Sequence, residues 1–568
     1  MATATLRSID ESTRPKSKSL VWLSLLLALS AVLNIVVALK ASLTTDEPLH
    51  LSYGARVLRS QPDHLFGGFT DSQMPISALN ALPQVIADSL QKHNEFPRIA
   101  DILQQHGRLT RIPTILATLT LDLLVYLWAF ELYGEWPALA ACLLCVISPN
   151  LMAHGSLATT DMYHTLGVIA SLYFFRRFLL QPTWKRAIVS GFVLALAQIT
   201  KSFALVLYPI VGIALIFAML KRNSRQPVPA RRALAFVGIA AVCLVLVFNV
   251  VDSFDNTFLS LGTYQFETAT LQHIGQLPLL RHIPVPMPYP FLQGLDQTKL
   301  SEETGRAFGD VYLLGWIGHT TDPAFHGFKS YYVVALFFKE PIALQILFVW
   351  GLVWVFRNRK LEDFLRGEGL LVASAVLLFC WMSLFSRAQI GVRHILPVIA
   401  VETIIAGAAF YNFSSKSRAQ KAVLSALVLW MGISVASYYP QMIPYMNEFV
   451  HDRRYSYKLL SDSNLDWGQD TSIVKQYVRT HPDVALDPEK PVAGLVLVGA
   501  NRLTGVYRWD SATYMLRYQP IAQVGYAHFL FDVPAKDLPL LQQEVQQQKK
   551  QKVPLQIQQL EKEKKQNY

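Results

Sequence analysis

The chain has 568 residues, of which 52% are hydrophobic and only 16% are charged, and its formal net charge is +11. Soluble proteins of this size carry more charged residues, so the composition excludes an ordinary soluble domain and indicates a protein that crosses a membrane several times. The basic residues lie in short clusters between apolar segments and do not follow one face. This pattern disfavours nucleic-acid binding and favours a role in membrane topology.

Apolar segments recur through the first 440 residues, and about 20 apolar residues are needed for a helix to cross a bilayer. Because Lys and Arg concentrate in cytoplasmic loops, the basic clusters predict a cytoplasmic N-terminus and an extracytoplasmic C-terminus. The predicted fold is mainly α, a polytopic helical bundle with long outer loops at 40–111 and 252–332. We predict about eleven spans, at 20–39, 112–130, 137–152, 162–175, 187–199, 203–220, 233–251, 342–356, 369–385, 394–411 and 422–439.

The chain after the last predicted span has a different composition. The runs 492–498 and 521–533 are apolar, rich in β-branched and aromatic residues and bounded by Gly or Pro, which predicts strands. Beyond Pro539 the chain is rich in Gln and Lys, so we expect a disordered or loosely helical tail. The predicted parts are a transmembrane domain (1–440), an extracytoplasmic α/β module (441–538) and a polar tail (539–568).

Acidic residues follow two spans in a repeated pattern. Asp46 and Glu47 come just after the first span in Thr-Thr-Asp-Glu-Pro, and Asp161 ends a second Thr-Thr-Asp between the third and fourth spans. Such an acid can be a general base, or a ligand for a divalent cation such as Mg or Mn, or merely a helix cap. Lys201 lies at the next outer turn, where a cation serves to bind phosphate. Two matched acids with this cation favour a site.

Several motifs in this order resemble a known family. The chain resembles the GT-C glycosyltransferases that use lipid-phosphate sugars, in particular protein O-mannosyltransferases and aminoarabinose transferases. The resemblance implies a GT-C bundle with its active site on the extracytoplasmic side and a polyprenyl-phosphate sugar donor. It rests on the acidic pair, Arg111-Ile112-Pro113, the stretch from Ser148-Pro149-Asn150 to Asp161, Lys339-Glu340-Pro341, the stretch from Gly391-Val392-Arg393 to Pro397, and Asp462–Asp470.

Within this family reading, each candidate residue takes a role in an inverting sugar transfer. We assign the base to Asp46, and we expect Glu47 and Asp161 to support it or, for Asp46 and Asp161, to bind a divalent ion. The donor phosphate is assigned to positive side chains, and three further residues are candidates for substrate contact. The phosphate candidates are Lys201, Arg111, Arg387 and Arg393, and the substrate candidates are His154, His394 and Lys339.

Structural explanations compete with several of these roles. Arg111 can snorkel to the interface, Lys339 can anchor a span end, and His154 and His394 can be packed core residues. The main rival function is a lipid or glycolipid transporter or flippase, which predicts repeated halves and polar groups at mid-membrane. The acceptor can be a protein, a lipid or a glycan. The 464–470 match favours a bacterial inner membrane.

Overall fold

The computed structural model describes residues 17–63, 74–92, 107–220, 228–305, 309–507 and 511–546. The described part is mainly helical, as predicted. Its α-helices are Ser17–Lys40, Glu47–Leu58, Ser77–Lys92, Ile112–Tyr133, Glu135–Val146, Pro149–Gly155, Asp161–Leu180, Trp184–Gln198, Leu207–Leu220, Ala230–Val251, Ala269–Gln276, Tyr289–Thr304, Tyr331–Lys339, Ile342–Asn358, Leu361–Arg366, Glu368–Leu384, Leu396–Gly407, Arg418–Ala436, Thr471–Thr480 and Ala500–Thr504.

Helices occupy all eleven positions at which spans were predicted. Within the described ranges, six are long and apolar enough to cross a membrane, or up to eight if each of two bent pairs forms one span. Others fall short in length, as does Trp184–Gln198 with 15 residues. The protein is an integral, multi-pass membrane protein, and the count of eleven crossings stays a prediction.

Proline marks the first turn of three helices that begin near the predicted acidic turns. Pro48, Pro113 and Pro149 occupy the first two positions of their helices. The first helical turn has no partner for its N–H groups, so a residue without N–H is well suited there. Ser148 adds a side-chain cap by accepting from Leu151 N–H. These signals place helix starts directly beside the predicted acidic turns.

The predicted α/β module contains a four-stranded sheet. Its strands lie in the order Ala485–Leu486, Gly494–Gly499, His528–Val533 and Ala522–Val524. The first pair is parallel and the other two are antiparallel. The prediction of one strand over 521–533 was wrong, because the left-handed residues Gly525 (φ 62°) and Tyr526 (φ 65°) turn the chain back into a hairpin.

The module and the bundle share one hydrophobic core. Leu344 and Leu347 of the bundle belong to the same buried cluster as Val498, Phe529 and Phe531 of the sheet. The secondary structure therefore changes near the predicted boundary at residue 440, but the apolar core continues across it. A separate two-stranded sheet, Val311–Leu313 with Trp316–Gly318, lies in the second long predicted loop, 252–332. Residues 547–568, most of the predicted tail, lie outside the described residues.

Candidate active site

The first outer acid is paired with an arginine from a distant part of the chain. Asp46 immediately precedes the helix Glu47–Leu58, yet its side chain makes no capping hydrogen bond. Instead its Oδ2 accepts from Nη1 of Arg393 at 2.7 Å. The guanidinium of Arg393 also lies over the Trp467 ring, 4.3 Å from its centroid. Asp46 is therefore held as the charged partner of Arg393, and the alternative of a simple helix cap does not describe it.

The second outer acid is paired with the predicted lysine. Oδ1 of Asp161 lies 2.6 Å from Nζ of Lys201, and both side chains are buried. Thr159 of the same Thr-Thr-Asp triplet donates its hydroxyl to the other carboxylate oxygen at 3.2 Å. Asp161 and Asp46 influence each other electrostatically, and Arg393 acts on both. The two triplets thus meet around a single charged cluster.

Burial and ion pairing compete at this cluster. Burial alone would raise the pKa of Asp46, but the charge of Arg393 and its hydrogen bond to Asp46 outweigh burial and lower that pKa below its usual value. For Lys201 burial is the larger influence and lowers its pKa, although Asp161 opposes this. Asp46 consequently stays ionised, while Lys201 loses its proton more readily than a surface lysine.

Glu47 forms a fully buried ion pair with Arg111. Both Glu47 oxygens accept from the Arg111 guanidinium at 2.7 Å, through Nε and Nη2. Glu47 also accepts from the backbone N–H groups of Thr44 and Ala158, at 2.7 and 2.8 Å. Glu47 therefore ties the two acidic turns to each other, and its oxygens are fully used.

The remaining Arg111 donors are bound as well. They reach backbone carbonyls at the end of the first helix, those of Ala38, Ala41 and Ser42, at 2.7 to 3.1 Å. A guanidinium has five N–H donors, and all five are satisfied here. We therefore do not assign Arg111 to the donor phosphate, as the sequence had suggested, and it does not snorkel to the interface either, because it is fully buried.

Two other predicted cations also bind the protein itself. Arg387 is half-buried and donates to the carbonyls of Glu303 and Pro323 in the predicted loop 252–332, at 3.2 and 3.3 Å. Lys339 is buried, and its Nζ donates to the carbonyls of Ile443 and Asn464 at 2.5 and 2.8 Å. We therefore withdraw both from substrate contact. Lys201 and Arg393 are the predicted cations that reach the acidic cluster.

Buried histidines surround the cluster. His154 packs beside Trp467, with ring centroids 5.7 Å apart, and His394 bonds the carbonyl of Ala388 at 2.9 Å. Sequence reasoning missed His50, which lies one helical turn after Asp46 and is 2% exposed, with no hydrogen-bond partner for its Nδ1. Burial lowers the pKa of His50 despite the nearby carboxylates, so it is neutral. The turn spacing from Asp46 was the available signal.

The motif Asp462–Asp470 contacts the two loops that carry Asp46 and Arg393. Trp467 accepts the N–H of Thr45 through its carbonyl at 2.9 Å, and Asn464 accepts the N–H of Val392 through its side chain at 3.1 Å. Gly391 (φ 149°) has no room for a side chain, because a Cβ there would lie 2.2 Å from the Ser463 hydroxyl. The motif Asp462–Asp470 therefore holds in position the loops that carry Asp46 and Arg393.

The predicted metal ligands do not form a metal site by themselves. Asp46 and Asp161 each already face a cationic side chain. Across the residues with described positions, no group of three or more His, Cys, Asp or Glu side chains could hold a metal ion. A divalent ion prefers six or more oxygen ligands, and this pair of acids does not fit that requirement.

One protein-family model matches part of the chain. Residues 98–261 match the model of the family described as Dolichyl-phosphate-mannose-protein mannosyltransferase. The matched stretch contains Arg111, His154, Asp161 and Lys201. The match confirms the predicted resemblance to glycosyltransferases that use lipid-phosphate sugars. No curated protein sequence matches the chain significantly.

Solved structures with low sequence identity are also similar. ArnT from Cupriavidus metallidurans bound to undecaprenyl phosphate has 13% identity and a TM-score of 0.47, over 90% of this chain and 97% of that one. The apo oligosaccharyltransferase of Archaeoglobus fulgidus has 16% identity and a TM-score of 0.47, over 76% and 56%. The archaeal oligosaccharyltransferase AglB from the same organism, in complex with an inhibitory peptide and a dolichol-phosphate, has 12% identity and a TM-score of 0.43, over 82% and 60%.

Proposed function

We propose that this protein is a membrane glycosyltransferase that moves a sugar from a polyprenyl-phosphate donor to an acceptor on the extracytoplasmic side. The observation that carries the proposal is the pairing of Asp46 with Arg393 and of Asp161 with Lys201 in one cluster at helix ends. The family match over residues 98–261 supports the same reaction class. The bacterial inner membrane remains our proposed location.

The charges suit a donor that lies in the bilayer. A lipid phosphate sits at headgroup depth, and Lys201 and Arg393 supply positive charge at the ends of apolar helices. Arg393 is suited to bind phosphate oxygens through a fork of N–H groups, and Lys201 acts as a compact charge. We propose that both stabilise the phosphate as it leaves. The buried histidines His154 and His394 lie around the same cluster.

The reaction we propose is a single displacement with inversion. The acceptor oxygen attacks the anomeric carbon, and the bond from that carbon to the phosphate oxygen breaks with its electron pair remaining on the phosphate. The proton of the acceptor hydroxyl passes to the Asp46 carboxylate. Asp161 keeps Lys201 charged and oriented, so it acts through the lysine. Lys201 and Arg393 supply the positive charge that a divalent ion would otherwise provide, so the proposed step needs no metal.

Substitution of the base tests the proposal. The purified protein in detergent is incubated with polyprenyl phosphates that carry a hexose, a pentose or an amino sugar, together with a Ser/Thr-rich peptide, a lipid or a glycan acceptor. The released polyprenyl phosphate is measured. Asp46→Asn should lower the transfer rate about 10²- to 10⁴-fold, the usual contribution of a general base. Asp88→Asn is the matched control, because Asp88 pairs with Arg59 at the exposed surface.

The same preparation separates the proposal from its rival. In sealed vesicles, a transporter or flippase would move the lipid-linked sugar across the bilayer with its sugar–phosphate bond intact. Translocation without transfer would therefore favour the rival class. Transfer that is equally fast in the Asp46→Asn protein would remove the base assignment while leaving the glycosyltransferase class in place.

A further inference from the structure

Asp462 has an unusual backbone conformation at the edge of the charged cluster. Its φ of 55° lies in the left-handed region, which residues other than Gly adopt rarely and which Asp and Asn tolerate best. Its N–H donates to Oδ1 of Asn501 at 2.8 Å, and its own Oδ1 accepts from the Ser463 N–H at 2.6 Å. The backbone and one carboxylate oxygen are therefore held in place by the module.

The second oxygen of Asp462, Oδ2, is not the one that accepts from the Ser463 N–H. The residue is half-buried, and within the described ranges the hydrogen bond to its carboxylate comes from Ser463, which uses Oδ1. Burial raises the pKa of Asp462 to about 6, while the charge of Arg393 opposes this. The titratable and charged groups that act on it or respond to it are Arg393, Asp46, Asp466, Tyr331 and Tyr507.

Asp462 lies beside the loop that carries Arg393, because the Ser463 hydroxyl donates to the carbonyl of Ile390 and the Asn464 side chain accepts from the N–H of Val392. Asp161 and Lys201 lie at the ends of helices of the bundle, whereas Asp462 belongs to the chain after the last apolar helix, Arg418–Ala436. A lipid-linked donor reaches the cluster from the membrane. An acceptor that is not embedded in the bilayer would reach the cluster from the part of the chain outside the apolar helices, and Asp462 belongs to that part.

We propose that Asp462 binds the acceptor: its Oδ2 accepts a hydrogen bond from an O–H or N–H group of the acceptor and holds the attacking hydroxyl beside Asp46. This inference rests on the proposed function and names the residue that serves the second substrate. The acceptor is accordingly a molecule with at least one hydrogen-bond donor close to the hydroxyl that is glycosylated.

Asp462→Asn tests the inference without a change of shape. The Ser463 N–H selects the amide oxygen at the Oδ1 position, so the NH₂ group faces the site and cannot accept a hydrogen bond. Asn also tolerates the left-handed backbone. With a Ser/Thr-rich peptide as the probe acceptor, we expect the peptide KM to rise about 10- to 100-fold, the usual effect of losing a hydrogen bond to a charged group.

Hydrolysis of the donor by water separates acceptor binding from the chemistry on the donor. The donor KM and the slow release of sugar to water should stay within about twofold of the wild type in Asp462→Asn. Asp452→Asn is the matched control, since Asp452 is paired with Arg454 at the exposed surface. Asp462→Gly is the second variant. It removes the carboxylate and fits the left-handed backbone without strain, so it should raise the peptide KM in the same way.

The pH dependence provides a readout that a purely structural role would not change. Protonation of Asp462 removes its ability to accept, so the peptide KM of the wild type should rise as the pH falls below about 6. The KM of Asp462→Asn should not show this rise. A peptide KM unchanged in both variants, or an acid rise that persists in Asp462→Asn, would overturn the inference. A wild-type protein that transfers no sugar would overturn the proposed function as well.

Discussion

Arg393 donates to Asp46 at 2.7 Å although the two residues are separated by 347 positions in the chain. One lies just after the first helix and the other at the start of the span that enters the centre of the bundle. The ring of Trp467, from the motif Asp462–Asp470, packs on the same guanidinium. Three distant parts of the chain therefore have to assemble before Asp46 has its charged partner, and this makes Arg393 the residue on which the geometry of the site depends.

Replacement of Arg393 should reduce kcat, and the reduction should be larger when the charge is removed than when only the planar shape is lost. Arg393→Lys keeps a charge but loses the planar contact with Trp467, so we expect kcat to fall about 10-fold. Arg393→Met removes the charge that stabilises the leaving phosphate, and kcat should fall about 10²- to 10³-fold. Initial rates of polyprenyl phosphate release measure both. Arg387→Met is the control on the same loop, and a comparable loss there would contradict the assignment.

The integrity of the buried pair of Glu47 and Arg111 should have a large effect on the free energy of unfolding. Removing one partner leaves the other charge buried without compensation, which costs about 3–5 kcal/mol. Glu47→Gln and Arg111→Met should therefore each lower the thermal unfolding temperature markedly, as followed by tryptophan fluorescence in detergent. The double variant Glu47→Gln with Arg111→Met should be less destabilised than the sum of the two single changes. Strict additivity would contradict a direct pair.

The helices and the two acidic turns could be predicted from the sequence, because the length of an apolar run and the position of a proline determine local structure. Asp46, Asp161, Lys201 and Arg393 could be selected since charges at span ends are costly without a use. The burial of Arg111 against Glu47 could not be predicted, because a span-end arginine has the same local sequence whether it snorkels or pairs.

Long-range placement explains the other misses. Lys339 and Arg387 bind carbonyls from other loops, and no local pattern specifies which carbonyls those are. Asp462 was visible only as part of a family motif, because its approach to Arg393 depends on how the module packs against the bundle. Similarly, the turn at Tyr526 broke a run whose composition indicated one continuous strand.

The lowered pKa of Lys201 should set the alkaline limit of activity. Its burial lowers its pKa, so its charge is lost at a lower pH than that of a surface lysine, which titrates at about 10.4. If the charged form stabilises the leaving phosphate, kcat should decline as the pH rises through this lowered pKa. Lys201→Arg stays charged throughout this range and should move the decline to higher pH. An unchanged alkaline limb in a protein with normal thermal stability would contradict the role of Lys201.

Removal of divalent ions provides the last test of how the phosphate is stabilised. Asp161 already binds Lys201 at 2.6 Å and Asp46 binds Arg393 at 2.7 Å, so the cationic side chains occupy the place of a metal charge. We expect dialysis against EDTA to change the transfer rate by less than about twofold. A fall of 10-fold or more that is restored by Mg or Mn would instead return Asp46 and Asp161 to the role of metal ligands. Because Asp46→Asn would then weaken the response to the metal and Asp88→Asn would not, titration of the ion against these two variants distinguishes a direct ligand from a general effect on the membrane protein.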